Sequence, residues 1–192
     1  MRATRKQQID LYLQKSIKCI EAIRKGHLDD LSSLIVRLES TREAGGSVFL
    51  VGNGGSASTA SHFACDLNKT AILPEKRRFR AQSLVDNMPT LLAWANDTSY
   101  SNVFAAQLPN HAVRGDLLIA ISGSGNSSNV LNAVRAAKKI GMYTIGLTGF
   151  SGGRLRGLAD ECIAIPSDSM YRTEDMHLMT NHIIVSVFRR EI

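Results

Sequence analysis

Two separated segments, SVFLVGNGGSAS (47–58) and DLLIAISGSGNSS (116–128), share one construction. Each is a short apolar run rich in β-formers that breaks into glycine, serine and asparagine and then resumes as a helical pattern. A strand that is apolar at every position needs cover on both faces, and helices alternating with parallel strands supply it. Three further runs read as strands: AQSLVD (81–86), YTIGLTG (143–149) and ECIAIP (161–166). Between and after them lie helical patterns at 57–69, about 88–95, 129–141, a short turn at 153–158, and about 172–190. The expected fold is an α/β three-layer sandwich with a five-stranded parallel sheet.

Ahead of the sheet, Ile9, Leu13, Ile17 and Ile20 recur at helical spacing, as do Leu28, Leu31, Leu34, Ile35 and Leu38. Gly26 marks the break between them and Gly45-Gly46 the stop. The chain therefore reads as one domain over 1–192, with a helical hairpin over 1–45 and an α/β core over 46–192. The hairpin needs somewhere to bury its apolar stripe, and a second subunit is one answer.

Strand ends in a parallel sheet are where ligands bind. Here GNGGSAS (52–58) and SGSGNSS (122–128) end two strands and each opens a helix. Glycine lets the backbone approach a ligand closely, hydroxyl and amide groups offer hydrogen bonds, and a helix start offers unpaired N–H groups. Neither loop ends in GK[ST], and GNGGSA departs from GxGxxG, so neither nucleotide pattern applies. Serines without a lysine or magnesium motif suit a phosphate that is held, not transferred. That points to a phosphosugar. The net charge of +6 also favours anionic partners.

Basic residues are dispersed, with small clusters at 2–6 and 76–80, and no aromatic-interleaved stripe indicates nucleic acid. No apolar run reaches the ~18–20 residues that cross a bilayer. The basic start MRATRKQQID is followed by no apolar stretch, and the three cysteines, Cys19, Cys65 and Cys162, are widely spaced. A reducing cytoplasm is the expected setting.

At this point the chain resembles a family. GNGGSAS…HFACDL, AWANDTSYSNVF, DLLIAISGSGNSSNVLNAVRAAKKIGM, IGLTGFSGG and EDMHL…H follow one another as in sugar-isomerase (SIS) domain proteins, and look most like the sedoheptulose-7-phosphate isomerases. The resemblance implies conversion of sedoheptulose 7-phosphate to a heptose phosphate for bacterial surface polysaccharides, in a homotetramer with sites between subunits. It places the phosphate on Ser122, Ser124 and Ser127, with Gly123 between them. The sugar falls to Asn53, Gly54, Gly55 and Ser56, with Asn96 and Asp97. The family pairs a catalytic glutamate with a histidine, and many members bind zinc through two histidines, that glutamate and a glutamine. His62 and His182 match the histidines. Asp66 stands where the glutamate does, and Glu174 where the glutamine does. Ser122-Gly123-Ser124 replaces a common Ser-Thr-Ser.

Isomerisation through an enediol needs a base near the carbons and an acid/base near the oxygens. The candidate catalytic residues are Asp66, His182 and Glu174, and the candidate metal ligands, for Zn2+, are His62, Asp66, Glu174 and His182. Either carboxylate remains eligible as the base. Glu174 and His182 lie eight residues apart, about 12 Å along a straight helix, so one ion does not reach both without a bend or a second subunit. The alternatives are an isomerase of another phosphosugar, or a non-catalytic tetrameric SIS protein that binds a protein such as a replication initiator. Among the remaining residues, Cys65 is expected in the core, Thr173 as the N-cap of the last helix, Asp175 as a surface charge, and His177 as either a neighbour of the site or a packing residue. The 76–80 cluster reads as a solvated loop or a border to the phosphate entrance.

Overall fold

The computed structural model describes residues 3–190; Arg2, from the 2–6 basic cluster, lies outside them. Helix α1 (Arg5–Gly26) starts with a reciprocal cap: Gln7 N donates to Thr4 Oγ1 at 3.3 Å, and Thr4 N to Gln7 Oε1 at 2.8 Å. Helix α2 (Leu28–Glu43) carries Asp29 and Asp30 in its first turn, where the helix dipole favours them. Then follow β1 (Val48–Val51), α3 (Gly55–Cys65), β2 (Ala81–Ser83), α4 (Met88–Asp97), α5 (Leu108–His111) and β3 (Leu117–Ile121). The chain ends with α6 (Ser128–Ile140), β4 (Tyr143–Thr148), α7 (Leu155–Leu158), β5 (Glu161–Ala164) and α8 (Met170–Arg189). The five strands are parallel, in the order β2-β1-β3-β4-β5.

The apolar strands divide by their period of two. Val48, Leu50, Leu117, Ile119 and Ile121 face a core completed by α1, α2, α3 and α8, through residues such as Leu34, Phe63 and Ile184. Phe49, Val51, Leu118 and Ala120 face the opposite core, completed by α4 and α6 through Leu91, Val130 and Val134. The expected three layers are present, with the helical hairpin ahead of them.

Several boundaries moved for local reasons. Strand β2 ends at Ser83, not 86, because Asn87 Oδ1 accepts from Thr90 N at 3.1 Å and starts α4, with Pro89 behind it. Asn68 covers that edge strand, its side chain bonding Ala81 N at 3.0 Å and Ala81 O at 2.7 Å. Helix α3 continues into a π-helical turn, Asp66–Thr70. Such wide turns are frequent at functional positions. Helix α8 begins at Met170 with Ser169 as its N-cap, so Thr173 is not the cap; it is fully buried one turn inside.

The α1 stripe has an outcome that helical spacing alone does not reveal. Ile9, Leu13, Ile17 and Ile20 face out, between 41 and 63% exposed, while α1 packs inward through Cys19 and Ile23. Val36 on α2 is exposed as well. No helix among the described residues is long and apolar enough to cross a membrane.

Candidate active site

The strand order reverses between β1 and β3, so the loops after these strands leave toward opposite faces and a crevice opens between them. The crevice holds a cavity of about 280 Å³. One wall is Asn53, Gly54, Gly55 and Ser56; the other is Ser122, Gly123, Ser124 and Ser127; Met170 and Glu174 of α8 close it. All eight loop residues expected at the ligand therefore share one cavity.

The walls suit an anion. The N-cap residues of α3 and α6, Gly54 and Ser127, make no side-chain bond to the helix starts; in the first turn of α6 Val130 N donates to Asn129 Oδ1 at 2.9 Å, and the N–H groups before it face the cavity without such a partner. Ser122 Oγ donates to Ser127 Oγ at 3.2 Å. The serine loop is braced from behind by residues 149–155. Gly149 N donates to Gly123 O, Leu155 N to Gly125 O, each at 2.9 Å, and Arg154 N to Asn126 Oδ1 at 3.2 Å. Two residues absent from the sequence reading orient Asn53. Asn129, 2% exposed, exchanges two amide bonds with it at 2.8 and 2.9 Å, and Tyr100 OH donates to Asn53 Oδ1 at 2.8 Å. A fully polar side chain at the start of an amphipathic helix was the available signal for Asn129.

Glu174 reaches the cavity because α8 passes over the start of α3. A Cβ placed on Gly55 would lie 2.6 Å from both Glu174 carboxylate oxygens. No side chain or backbone group of the described residues hydrogen-bonds that carboxylate.

A second group lies further along the same two helices. His62 Nε2 is 3.2 Å from Asp66 Oδ2 and 3.4 Å from His182 Nε2. One ligand atom from each of His62, Asp66 and His182 lies within 4.8 Å of the other two, so the three could hold a metal ion. His62 is 46% exposed at its side chain and Asp66 13%. Asp66 is anchored at both oxygens: Thr70 Oγ1 donates to Oδ1 and Asn181 Nδ2 to Oδ2, each at 3.0 Å. Within one chain Glu174 is not part of this group, and α8 is one continuous helix through both positions. Asn96 and Asp97 end α4 exposed and bonded to each other at 2.9 Å, lining neither the cavity nor the cluster.

Other expectations are corrected. Cys65 is exposed, because α3 buries Ala60, Phe63 and Ala64 and position 65 turns outward. The 76–80 cluster does not border the phosphate-type loops: Arg80 precedes β2, at the amino ends of the strands beside Ser47 and Asp116. Asp175 is exposed, as expected for a surface charge, and accepts a hydrogen bond from Tyr12 that ties α8 to α1 and raises the tyrosine's pKa.

His177 is a packing residue. It is 1% exposed, its Nε2 bonds Thr148 O at 3.0 Å, and its Nδ1 has no partner. Burial pushes its pKa from 6.5 down to about 4. Above pH ~6.5 the ring is neutral folded and unfolded; between ~6.5 and ~4 only the unfolded chain takes the proton, so stability falls as pH falls, by about 3 kcal/mol in all. His177→Gln keeps an N–H for Thr148. Urea unfolding at pH 7 and 4.5 is expected to show a smaller acid loss in the variant than in the parent; equal losses would refute the assignment.

The SIS domain family pattern matches residues 11–149. A phosphoheptose isomerase of Helicobacter pylori (strain Shi470) is 39% identical over 173 residues, 90% of this chain and 88% of its own. Among solved structures, the phosphoheptose isomerase GmhA from Neisseria gonorrhoeae has a TM-score of 0.91 at 27% identity, covering 97% of this chain and 100% of that chain. A phosphoheptose isomerase from Francisella tularensis gives 0.91 at 28%, covering 97% and 98%.

Proposed function

The chain belongs to the SIS domain family, among its phosphoheptose isomerases, and from that premise we propose that it interconverts sedoheptulose 7-phosphate and a heptose 7-phosphate through an enediol. It is an aldose–ketose phosphosugar isomerase, an intramolecular oxidoreductase. The observation that carries the reading is the crevice itself. Two helix starts whose N-cap residues make no side-chain bond, and a serine loop, share one cavity with an unpartnered carboxylate. A phosphate bound by hydroxyl and N–H groups is held without any means of transferring it.

The phosphate sits on Ser122, Ser124 and Ser127, with Gly123 between them giving room to Met170 of α8. The sugar hydroxyls meet Asn53, held rigid by Asn129 and Tyr100, and the Gly54, Gly55 and Ser56 backbone. Asn96 and Asp97 line no part of this cavity in one chain, so their contact with the sugar is assigned to a subunit boundary. The exposed α1 stripe supports such a boundary, in a homotetramer built on the 1–45 hairpin of a single domain over 1–192. Proton transfer falls to His182 and a carboxylate, Asp66 or Glu174. The reaction belongs in the cytoplasm.

The His62–Asp66–His182 group fits zinc. Tetrahedral zinc with bonds of about 2.0–2.1 Å holds its donors about 3.3 Å apart, and two histidines with one carboxylate leave a fourth position open. Two of the three separations here are 3.2 and 3.4 Å. When bound, the ion would act as a Lewis acid toward an oxygen of the substrate. Asn181 and Thr70 set the orientation of Asp66 for that task, as outer partners of metal ligands do. Glu174 joins the ion only from another chain.

The test is direct. The chelated protein, with and without added zinc, is incubated with sedoheptulose 7-phosphate and the aldose product followed by NMR. Product formation is expected; no product from any phosphosugar of five to eight carbons would overturn the reading.

A further inference from the structure

We infer that Glu174, not Asp66, is the base that moves the carbon-bound proton; the inference rests on the isomerase reading above. Of the two carboxylates, only Glu174 lines the cavity that also holds the serine loop. Its oxygens stand over Gly55, at the first turn of α3, and nothing within the described chain hydrogen-bonds them. A carboxylate free of donors keeps its lone pairs for a proton.

Asp66 is placed for a different task. It is absent from the cavity lining, and Thr70, Asn181 and His62 engage both of its oxygens. Bonds of this kind fix the direction of both oxygens, which serves a metal ligand. From Gly55 to His62 is seven residues along α3, about 10 Å, and from Glu174 to His182 is eight along α8, about 12 Å. The two carboxylates therefore stand at opposite ends of the α3–α8 contact. The residue positions alone leave this choice open; the packing of α8 across the start of α3 makes it.

The step balances with one base. Glu174 takes the proton from C1 of the open-chain ketose while the C–H electron pair forms the C1=C2 bond and the carbonyl pair moves onto O2. The O1 proton passes to O2 across the cis-enediolate. Glu174 then returns its proton to C2 as O1 becomes the aldehyde oxygen. The unpaired N–H groups at the start of α3, beside Gly55, face the developing oxygen charge.

The experiment compares Glu174→Gln and Asp66→Asn in the full-length protein. Sedoheptulose 7-phosphate in deuterium oxide reports loss of the C1 proton by NMR, separately from net turnover, and calorimetry reports phosphosugar binding. Glu174→Gln is expected to bind the sugar while losing C1 exchange by about 1,000-fold or more. Asp66→Asn is expected to lose zinc affinity, and C1 exchange with it, and to regain exchange when zinc is added in excess, whereas Glu174→Gln regains none. Exchange retained or restored by zinc in Glu174→Gln overturns the inference, as does exchange that excess zinc leaves lost in Asp66→Asn with sugar binding intact. If the parent protein neither exchanges nor turns over any phosphosugar, the isomerase reading fails and the inference with it. The parent arm therefore separates the two failures.

Discussion

Gly55→Ala is expected to leave the fold intact and remove most of the turnover. Gly55 has no left-handed backbone requirement, so alanine fits its conformation. As the first residue of α3 it gains up to about 1 kcal/mol of helix propensity. The new methyl, however, would lie 2.6 Å from the Glu174 carboxylate. A flexible side-chain end can retreat, so the clash is relieved by moving Glu174 away from the substrate and not by unfolding. Displacing a reacting group by about an ångström lowers the rate on the order of 100-fold. Thermal unfolding should show a midpoint equal to or above the parent's, while kcat falls. A variant that turns over at the parental rate would mean that Glu174 does no chemistry where it sits.

Gly125→Ala is expected to do the reverse and damage the fold first. Gly125 has φ +65°, and a Cβ there would lie 2.0 Å from the Gly152 carbonyl oxygen. The left-handed conformation alone costs alanine about 1–2 kcal/mol. The clash is with backbone, so no rotamer relieves it, and the two loops must separate. The brace from Leu155 N to Gly125 O would be lost with them. A total loss of about 3 kcal/mol or more follows, in the range of severe single substitutions. For a chain of this length that lowers the midpoint by about 6–12 °C. Because Ser122, Ser124 and Ser127 belong to the same loop, KM for the phosphosugar should rise as well. A midpoint within about 2 °C of the parent's would show that the loops separate at little cost.

The two glycines show where sequence reading stops. Both stood out as parts of Gly/Ser loops suited to an anion. The sequence holds no sign that one is pressed by a carboxylate 119 positions away and the other by a carbonyl 27 positions away. Asn129 and Tyr100 were missed for the same reason, since their importance is a contact with Asn53. Cys65 is expected in the core because free cysteine is commonly buried, but residue type does not say which side of a short helix meets the sheet. Thr173 was taken for a cap because a threonine ahead of an apolar stripe carries the right local chemistry. The helix instead began a turn earlier, at Ser169.

What the sequence determined by itself is what short-range physics governs. The apolar runs of β1, β3 and β4 became strands buried on both faces, and 3.6-residue periodicity became helices. Glycine and serine at the strand ends became a crevice with open helix starts. Those features, and the order of the motifs, were enough to reach the fold, the phosphosugar and the family. What only the tertiary structure decided is convergence. His62 and His182, 120 residues apart, meet because α8 packs along α3. The same packing directs Glu174 into the cavity and gives Asp66 to Asn181. Which of two carboxylates faces the sugar depends on how one helix lies on another. That is set by the shape of both faces at once, and no local pattern encodes it.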